Sequence, residues 1–185
     1  QLIVKEYPTK SAGITTLYNH LERLKQRNVS PDMIIVDYAD LLRSNIKSEE
    51  KRHQLESIYE ELRGMAQEFK CSIWTASQTN RSGLSAEVIT MEAISEAFNK
   101  CFVADFIFSL SRSIEHRASN GGRMFIAKNR NGPDGLVYPI YMDTANVKID
   151  VLPQIESFQD IKDNVLKKQT RSIQEKYKKF RKGER

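Results

Sequence analysis

A run of four apolar residues, Met33 to Val36, leads directly into Asp37, and this run is the strongest constraint on the fold of the chain. An uninterrupted apolar run is typical of a strand that is buried on both faces of a parallel sheet. Open α/β folds bind ligands at the carboxyl ends of such strands. A carboxylate there needs a partner, and a magnesium ion or its bound water would be one. The pattern favours Asp37 as a Walker B-type metal carboxylate of a nucleotide-driven motor, with a turn-capping aspartate as the alternative.

Strand and helix patterns alternate along most of the chain, which predicts an α/β fold with a mostly parallel twisted sheet flanked by helices. The predicted helices run from Thr15 or Thr16 to about Arg27, from about Glu49 to Phe69, and over Met91–Phe102. Further strands are predicted at Gln1–Glu6, Cys71–Ala76, Ala104–Leu110 and Arg123–Ala127, with a polar loop over Ser113–Gly122. The last two strands, Leu136–Met142 and Val147–Val151, are close enough in sequence to form antiparallel hairpins at one edge of the sheet.

Charge is divided unevenly between the body and the end of the chain. Residues 1–153 contain 19 basic and 19 acidic residues, whereas residues 154–185 contain 10 basic and 5 acidic ones, which accounts for the whole net charge of +5. We therefore predict a neutral α/β core over 1–153 and a basic helical extension over 154–185. The extension either keeps the end of the chain soluble or contacts nucleic acid or a partner.

Several classes of protein do not fit the composition. No apolar run approaches the roughly 20 residues that a membrane-spanning helix needs. The two cysteines, Cys71 and Cys101, are far apart, which favours packed thiols in a reducing cytoplasm over a disulfide or a zinc site. The three histidines lack the spacing of metal ligands.

Polar side chains follow two further predicted strands. Gln78 comes after the second long strand, and a neutral amide there can bind a phosphate oxygen or a water without adding charge. Lys128 and Arg130 alternate around Asn129, so both point to the same side of an extended chain. Two neighbouring cations are favourable where an anion lies between them, and a phosphate suits both side chains. The alternatives are a rim glutamine and a solubilising hairpin end.

The glycine-rich phosphate loop of ATP hydrolases is absent from these residues. That loop has the pattern G-x-x-x-x-G-K-[ST], and the sequence contains no Gly-Lys pair. Since the chain also begins at Gln1 without an initiator Met, we expect it to be part of a longer protein, and to be a monomer without ATPase activity on its own.

Five segments follow one another in the order and spacing of the DnaB-type replicative helicases. They are MIIVDYADLL, IYEELRGMAQEF, WTASQTNRSG, AISEAFNKCFVADFIFSLSR and FIAKNRNGPDGLV. Over roughly Gln1 to Asp150 the chain resembles the C-terminal RecA-like motor domain of that family, including its bacteriophage members, from a point beyond the phosphate loop. The resemblance implies ATP and Mg²⁺ as cofactors, a ring of six subunits, single-stranded DNA as substrate, and primase and a helicase loader as partners.

The resemblance also implies roles for individual residues. Asp37 would be the Walker B aspartate that acts through magnesium, and Gln78 would sense the γ-phosphate. Lys128 and Arg130 would reach the nucleotide of the adjacent subunit as a lysine and an arginine finger, which requires a closed ring.

The resemblance further implies loops that hold single-stranded DNA by its backbone, for which Lys, Arg, hydroxyl and backbone N–H groups are suitable donors. The candidate contacts lie in the segments that follow or precede these motifs. They are Arg43, Lys47, Arg81, Ser82, Ser95, Glu96 and Phe98. At Ser95–Phe98 the chain reads Ser-Glu-Ala-Phe, where bacterial members of the family have Arg-Glu-Ser-Gly.

Two other functions share much of this pattern. A RecA- or KaiC-like ATPase of recombination or regulation has the same fold with the same Asp and Gln positions, but the Lys-Asn-Arg-Asn-Gly-Pro segment at 128–133 favours the helicase. A non-catalytic DNA- or partner-binding module that has lost its phosphate loop is the third reading.

Overall fold

The computed structural model describes residues 1–46, 48–79, 88–91 and 99–154, together with residues 167, 170 and 174. The chain divides into two compact units, Gln1–Ile107 and Phe108–Arg185. The predicted basic extension falls mostly outside the described residues, so this extension and its boundary at residue 153 stay predictions.

The first unit is an α/β arrangement built on two parallel strands. Its helices and strands are α1 (Ile14–Lys25), β1 (Met33–Val36), a 3-10 helix (Ala39–Leu41), α2 (Lys51–Phe69), β2 (Ser72–Thr75) and α3 (Asn99–Val103). Strands β1 and β2 pair in parallel, with Met33 opposite Ser72 and Val36 opposite Thr75. The predicted succession of strand, helix and strand is therefore confirmed from β1 to β2, but the predicted mostly parallel twisted sheet is not, because this parallel sheet has only two strands among the described residues.

Helix α1 begins earlier than the sequence predicts, with Gly13 rather than a threonine at its N-cap. A side chain at Gly13 would place its Cβ only 2.8 Å from the carbonyl oxygen of Arg43, so glycine permits this close approach. Thr16 still takes part, because its Oγ1 accepts a hydrogen bond from the Gly13 amide at 3.3 Å. This is the side-chain half of a capping box.

The core of the first unit lies between the two long helices and one face of the parallel pair. Ile14 and Leu21 of α1 pack with Ile58, Leu62 and Met65 of α2. In α2 the buried residues recur every three or four positions, which is the spacing of one helix face, and burying each large side chain contributes about 1.5–3 kcal/mol. Ile34, Val36 and Ile73 from the strands lie partly buried against this cluster.

The prediction that β1 is buried on both faces is wrong for this structure. Burial alternates along the strand, and Met33 and Ile35 are 53% and 72% exposed. The physical reason is that α1 and α2 cover the face carrying Ile34 and Val36, while the described residues leave the opposite face open. The unbroken apolar run thus predicts the strand correctly, although only one face of that strand is covered by the described residues.

The second unit is organised around antiparallel strands. Its elements are β3 (Phe106–Ser111, which begins in the first unit), α4 (Ile114–Ala118), β4 (Gly121–Asn129), β5 (Val137–Asp143) and β6 (Lys148–Val151). These strands form one sheet in the order β3-β4-β5-β6. Strand β5 pairs antiparallel with both β4 and β6, which confirms the predicted antiparallel pairing. The predicted position at one edge of a mostly parallel sheet is not confirmed, because the described strands β1 and β2 form a different sheet.

Two local predictions are corrected by the structure. Gln1–Glu6 forms no strand, because the segment is exposed and its backbone finds no strand partner among the described residues. The polar stretch from Ser113 onward contains the short helix α4, because the Ser113 side chain accepts a hydrogen bond from the His116 amide and caps the helix.

Cys71 and Cys101 are buried thiols. None of the described helices is long and apolar enough to span a membrane.

Candidate functional site

The carboxyl ends of β1 and β2 are tied together by one hydroxyl group. Thr75 Oγ1 donates a hydrogen bond to the carbonyl of Val36 at 2.9 Å and accepts one from the amide of Ala39 at 2.8 Å. The backbone on both sides of Asp37 is therefore held by the end of β2. This is the edge at which open α/β sheets place their ligands.

Asp37 and Gln78 both lie at this edge, as the sequence predicts. Asp37 follows β1 directly, is exposed, and joins Tyr38 through a cis peptide bond. Gln78 lies three residues beyond the end of β2, and its Nε2 donates a hydrogen bond to the Tyr38 hydroxyl at 2.9 Å. The structure thus brings Gln78 to the residue next to Asp37, although the two are 41 positions apart in sequence.

A polar cluster that the sequence analysis missed lies beside this edge. It consists of Asp40, Tyr59, Ser77 and Lys100. Tyr59 donates to Asp40 Oδ1 at 2.8 Å, and Ser77 donates to Asp40 Oδ2 at 3.0 Å. Lys100 Nζ donates to Asp40 Oδ2 at 2.9 Å and to Ser77 Oγ at 2.6 Å. The sequence offered one signal, a charged residue directly before an apolar stretch: Asp40 precedes Leu41-Leu42, and Lys100 precedes Cys101-Phe102-Val103.

Burial strengthens the electrostatic interactions within this cluster. Only 2% of Lys100 is exposed, and its ammonium also lies 5.6 Å from the centre of the Tyr59 ring. Burial, followed by the nearby charge of Asp40, raises the pKa of Tyr59 far above its ordinary range, so the phenol remains a donor. A buried cation is favourable only with such partners.

The carboxylates at this edge differ in what they can bind. Asp40 already accepts hydrogen bonds from Tyr59, Ser77 and Lys100, whereas Asp37 is exposed. Within the described ranges, no group of three or more His, Cys, Asp or Glu side chains is placed to hold a metal ion. A Mg²⁺ ion that takes most of its ligands from phosphate and water needs only one or two protein carboxylates. Asp37 fits a magnesium ion of that kind.

The two predicted cationic fingers lie in the second unit. Strand β4 extends to Asn129, so half-buried Lys128 is part of the strand, and exposed Arg130 begins the turn. Asn129 shapes this turn, since its Oδ1 accepts from the Asn131 amide at 3.2 Å and its Nδ2 donates to the Pro133 carbonyl at 3.3 Å. Their action on a neighbouring subunit's nucleotide stays a prediction.

Of the candidate DNA contacts, the described residues include only Arg43. Its side chain is exposed, while its amide donates to the Ala12 carbonyl at 2.8 Å. It lines an open depression with Lys10, Ser44, Ser48 and Glu49, among others. Lys47, Arg81, Ser82, Ser95, Glu96 and Phe98 lie outside the described residues.

Solved structures with the same fold agree with this architecture. A solved ATPase domain superimposes with a TM-score of 0.68 at 21% identity, covering 77% of this chain and 52% of that one. A DnaB-like replicative helicase, solved in a study of its interactions with primase, superimposes with a TM-score of 0.64 at 21% identity over 72% of this chain and 34% of the helicase. These likenesses establish a mixed α/β fold similar to that of helicase ATPase domains.

Sequence comparison extends the likeness from fold to family. A DnaB-like replicative helicase of Enterobacteria phage T4 is 32% identical over 136 residues, which are 71% of this chain and 29% of the phage protein. The chain therefore spans less than a third of the length of this relative. The family model described as the DnaB-like helicase C terminal domain matches residues 1–148. The chain belongs to the DnaB-like helicase C-terminal domain family.

Proposed function

We propose that this chain is part of the ATP-driven motor of a replicative DNA helicase that works as a ring of six subunits on single-stranded DNA. The observation that carries the proposal is the edge formed by β1 and β2, where exposed Asp37 lies next to the residue that binds Gln78. A carboxylate and a neutral amide at adjacent strand ends suit a magnesium-bound nucleotide. The family assignment favours a helicase over a RecA- or KaiC-like ATPase.

In this proposal Asp37 holds a water or phosphate ligand of Mg²⁺, and the amide of Gln78 binds the γ-phosphate or the attacking water. Bound Mg²⁺ neutralises charge that develops on the phosphate oxygens. Gln78 would have to exchange its hydrogen bond with Tyr38 for one with the nucleotide. Because both partners are neutral, this exchange carries no charge penalty.

Lys128 and Arg130 are proposed to act in trans on the nucleotide of the next subunit. The turn stabilised by Asn129 holds them on a short, ordered hairpin end. An arginine that stabilises transition-state charge is worth about 10³–10⁵ in kcat in related phosphoryl transfers. Such a finger needs a ring in which each subunit completes its neighbour's site.

Hydrolysis is proposed for a longer protein, because these 185 residues contain no Gly-Lys pair to form a phosphate loop. DNA contacts through Arg43, Lys47, Arg81, Ser82, Ser95, Glu96 and Phe98 belong to the same proposal. So do a cytoplasmic location and partnership with primase, which rests on the solved helicase described above.

Mixed rings of the full-length protein test the proposal. Arg130→Ala and Asp37→Asn should each abolish hydrolysis in uniform rings. Mixing the two variants should partly restore it, because some interfaces then pair an intact Asp37 with an intact Arg130. Unchanged hydrolysis in uniform Arg130→Ala rings would contradict the finger assignment, and a full-length protein without ATPase activity would contradict the motor.

A further inference from the structure

Lys100 is a buried cation for which the proposed hydrolysis gives no role. Lys100 and its two hydrogen-bonding partners form a closed triangle, in which Lys100 donates to Ser77 and to Asp40 and Ser77 donates to Asp40. The proton count is consistent, because the single Ser77 proton goes to the carboxylate and its oxygen accepts from the ammonium. Ser77 is therefore held from two sides.

The triangle fixes both ends of the contact between Gln78 and Tyr38. Ser77 directly precedes Gln78, and Asp40 comes two residues after Tyr38. The Gln78 side chain binds the Tyr38 hydroxyl at 2.9 Å. If Asp40 or Ser77 moved, the two backbone segments that carry this contact would move with it.

Lys100 is itself held in place by the helix that carries it. Arg63 of α2 donates hydrogen bonds to the carbonyl of Val103 and to Asp105 Oδ1, the latter at 3.0 Å. These contacts fix the end of α3, whose second residue is Lys100. Because only 2% of Lys100 is exposed, its ammonium has no bulk water to replace Asp40 and Ser77.

We propose that Lys100 is a positioning residue which, through Asp40 and Ser77, sets the placement of Gln78 and thereby the rate of the proposed hydrolysis. This inference rests on the proposed function. Lys100 touches neither Asp37 nor a nucleotide in this assignment, so it acts on turnover rather than on nucleotide affinity. Its removal leaves Asp40 without its cation and Ser77 with one hydrogen bond fewer.

The first test uses Lys100→Met in the full-length protein, with ATPase kinetics and amide hydrogen exchange as readouts. We expect kcat to fall about tenfold while KM for ATP changes less than twofold, a pattern typical of a lost transition-state interaction. Amide exchange of residues 75–79 should become at least tenfold faster. Lys148→Met is the matched control, since Lys148 forms an equally short 2.9 Å ion pair with Asp150, but on the surface. It should leave both readouts unchanged.

A second pair of variants addresses the case in which Lys100→Met does not fold. Ser77→Ala removes the exposed hydroxyl that transmits the effect and leaves the Asp40–Lys100 ion pair intact. It should reproduce the fall in kcat at unchanged KM. Ser77→Thr keeps a hydroxyl at that position and should restore kcat, which a purely structural role of the cluster does not require.

The outcomes separate this inference from the proposed function. If the wild-type protein hydrolyses ATP and both Lys100→Met and Ser77→Ala keep its kcat, the positioning role is wrong. Unchanged amide exchange at residues 75–79 in Lys100→Met also overturns it. If the wild-type protein does not hydrolyse ATP, the proposed function fails, and the exchange experiment alone then decides whether Lys100 holds the Gln78 segment.

Discussion

Thr75 and Ala39 are joined by a 2.8 Å hydrogen bond in which the Thr75 hydroxyl accepts from the Ala39 amide, across 36 positions of sequence. The same hydroxyl donates to the carbonyl of Val36. One side chain of β2 thus closes the turn that carries Asp37. The arrangement makes Thr75 the residue on which the geometry of the turn depends most directly.

Replacing Thr75 by valine tests this dependence, because valine has nearly the same shape without the hydroxyl. Ala39 is fully buried, so its amide would be left without an acceptor, at a cost of about 1–3 kcal/mol. We expect Thr75→Val to lower the free energy of unfolding by that amount in urea titrations. Thr75→Ser retains the hydroxyl and should lose less than half as much. Equal losses in both variants would show that packing of the methyl group, not the hydrogen bond, is important.

The Tyr59 phenol predicts a dependence of stability on alkaline pH. Burial and the charge of Asp40 place its pKa in the folded protein above the ordinary value of 10.0. Above pH 10 the unfolded chain releases a proton that the folded protein retains, so stability is full below that pH and falls as pH rises. Tyr59→Phe should flatten this fall, measured by urea unfolding at several pH values.

The matched control for Tyr59 is Tyr141→Phe, because Tyr141 is exposed at 37% and is not part of the buried cluster around Asp40. At neutral pH, Tyr59→Phe should cost about 2 kcal/mol, as expected for a hydrogen bond to a charged acceptor. If the stability of Tyr59→Phe fell with rising pH as steeply as that of the wild-type protein, the burial of the Tyr59 phenol would be contradicted.

Arg43 is the described residue through which the proposed DNA contact can be tested. Arg43→Ala should weaken binding of single-stranded DNA to the full-length protein and reduce the slope of log affinity against log salt by about 0.7, the value for one lost phosphate contact. The backbone hydrogen bond of Arg43 to Ala12 is retained in this variant. Lys25→Ala, which removes an exposed cation of α1, is the control and should leave the slope unchanged.

Two glycines with open surroundings should respond to alanine in opposite directions. Neither has an atom within 4 Å of the position that a Cβ would take. Gly64 lies inside α2, where alanine is the better helix former, so Gly64→Ala should stabilise the protein by about 0.5–1 kcal/mol. Gly135 has a φ of +72°, so Gly135→Ala should destabilise it by about 1–2 kcal/mol. Effects of the same sign in urea unfolding would refute one of these conformations.

The amino-acid sequence alone was sufficient to predict those helices and strands that are determined by the pattern of neighbouring residues. The helical spacing of Leu55, Ile58, Leu62 and Met65 predicts α2, and the apolar run of Met33–Val36 predicts β1. The position of Asp37 and Gln78 at the edge of the sheet was predictable, because polar residues that directly follow a strand lie at that edge. The family resemblance was also carried by contiguous segments, which require no knowledge of the fold.

Tertiary structure decided the features that depend on distant partners. Whether one or both faces of β1 are covered depends on where α1 and α2 pack, and the strand's own residues do not contain this information. The cluster of Asp40, Tyr59, Ser77 and Lys100 spans 60 positions between Asp40 and Lys100. A lone aspartate and a lone lysine carry no sign of each other in sequence. Only folding brings their charged groups to 2.9 Å from each other. Because both side chains are largely buried there, each charge is stable only beside the other.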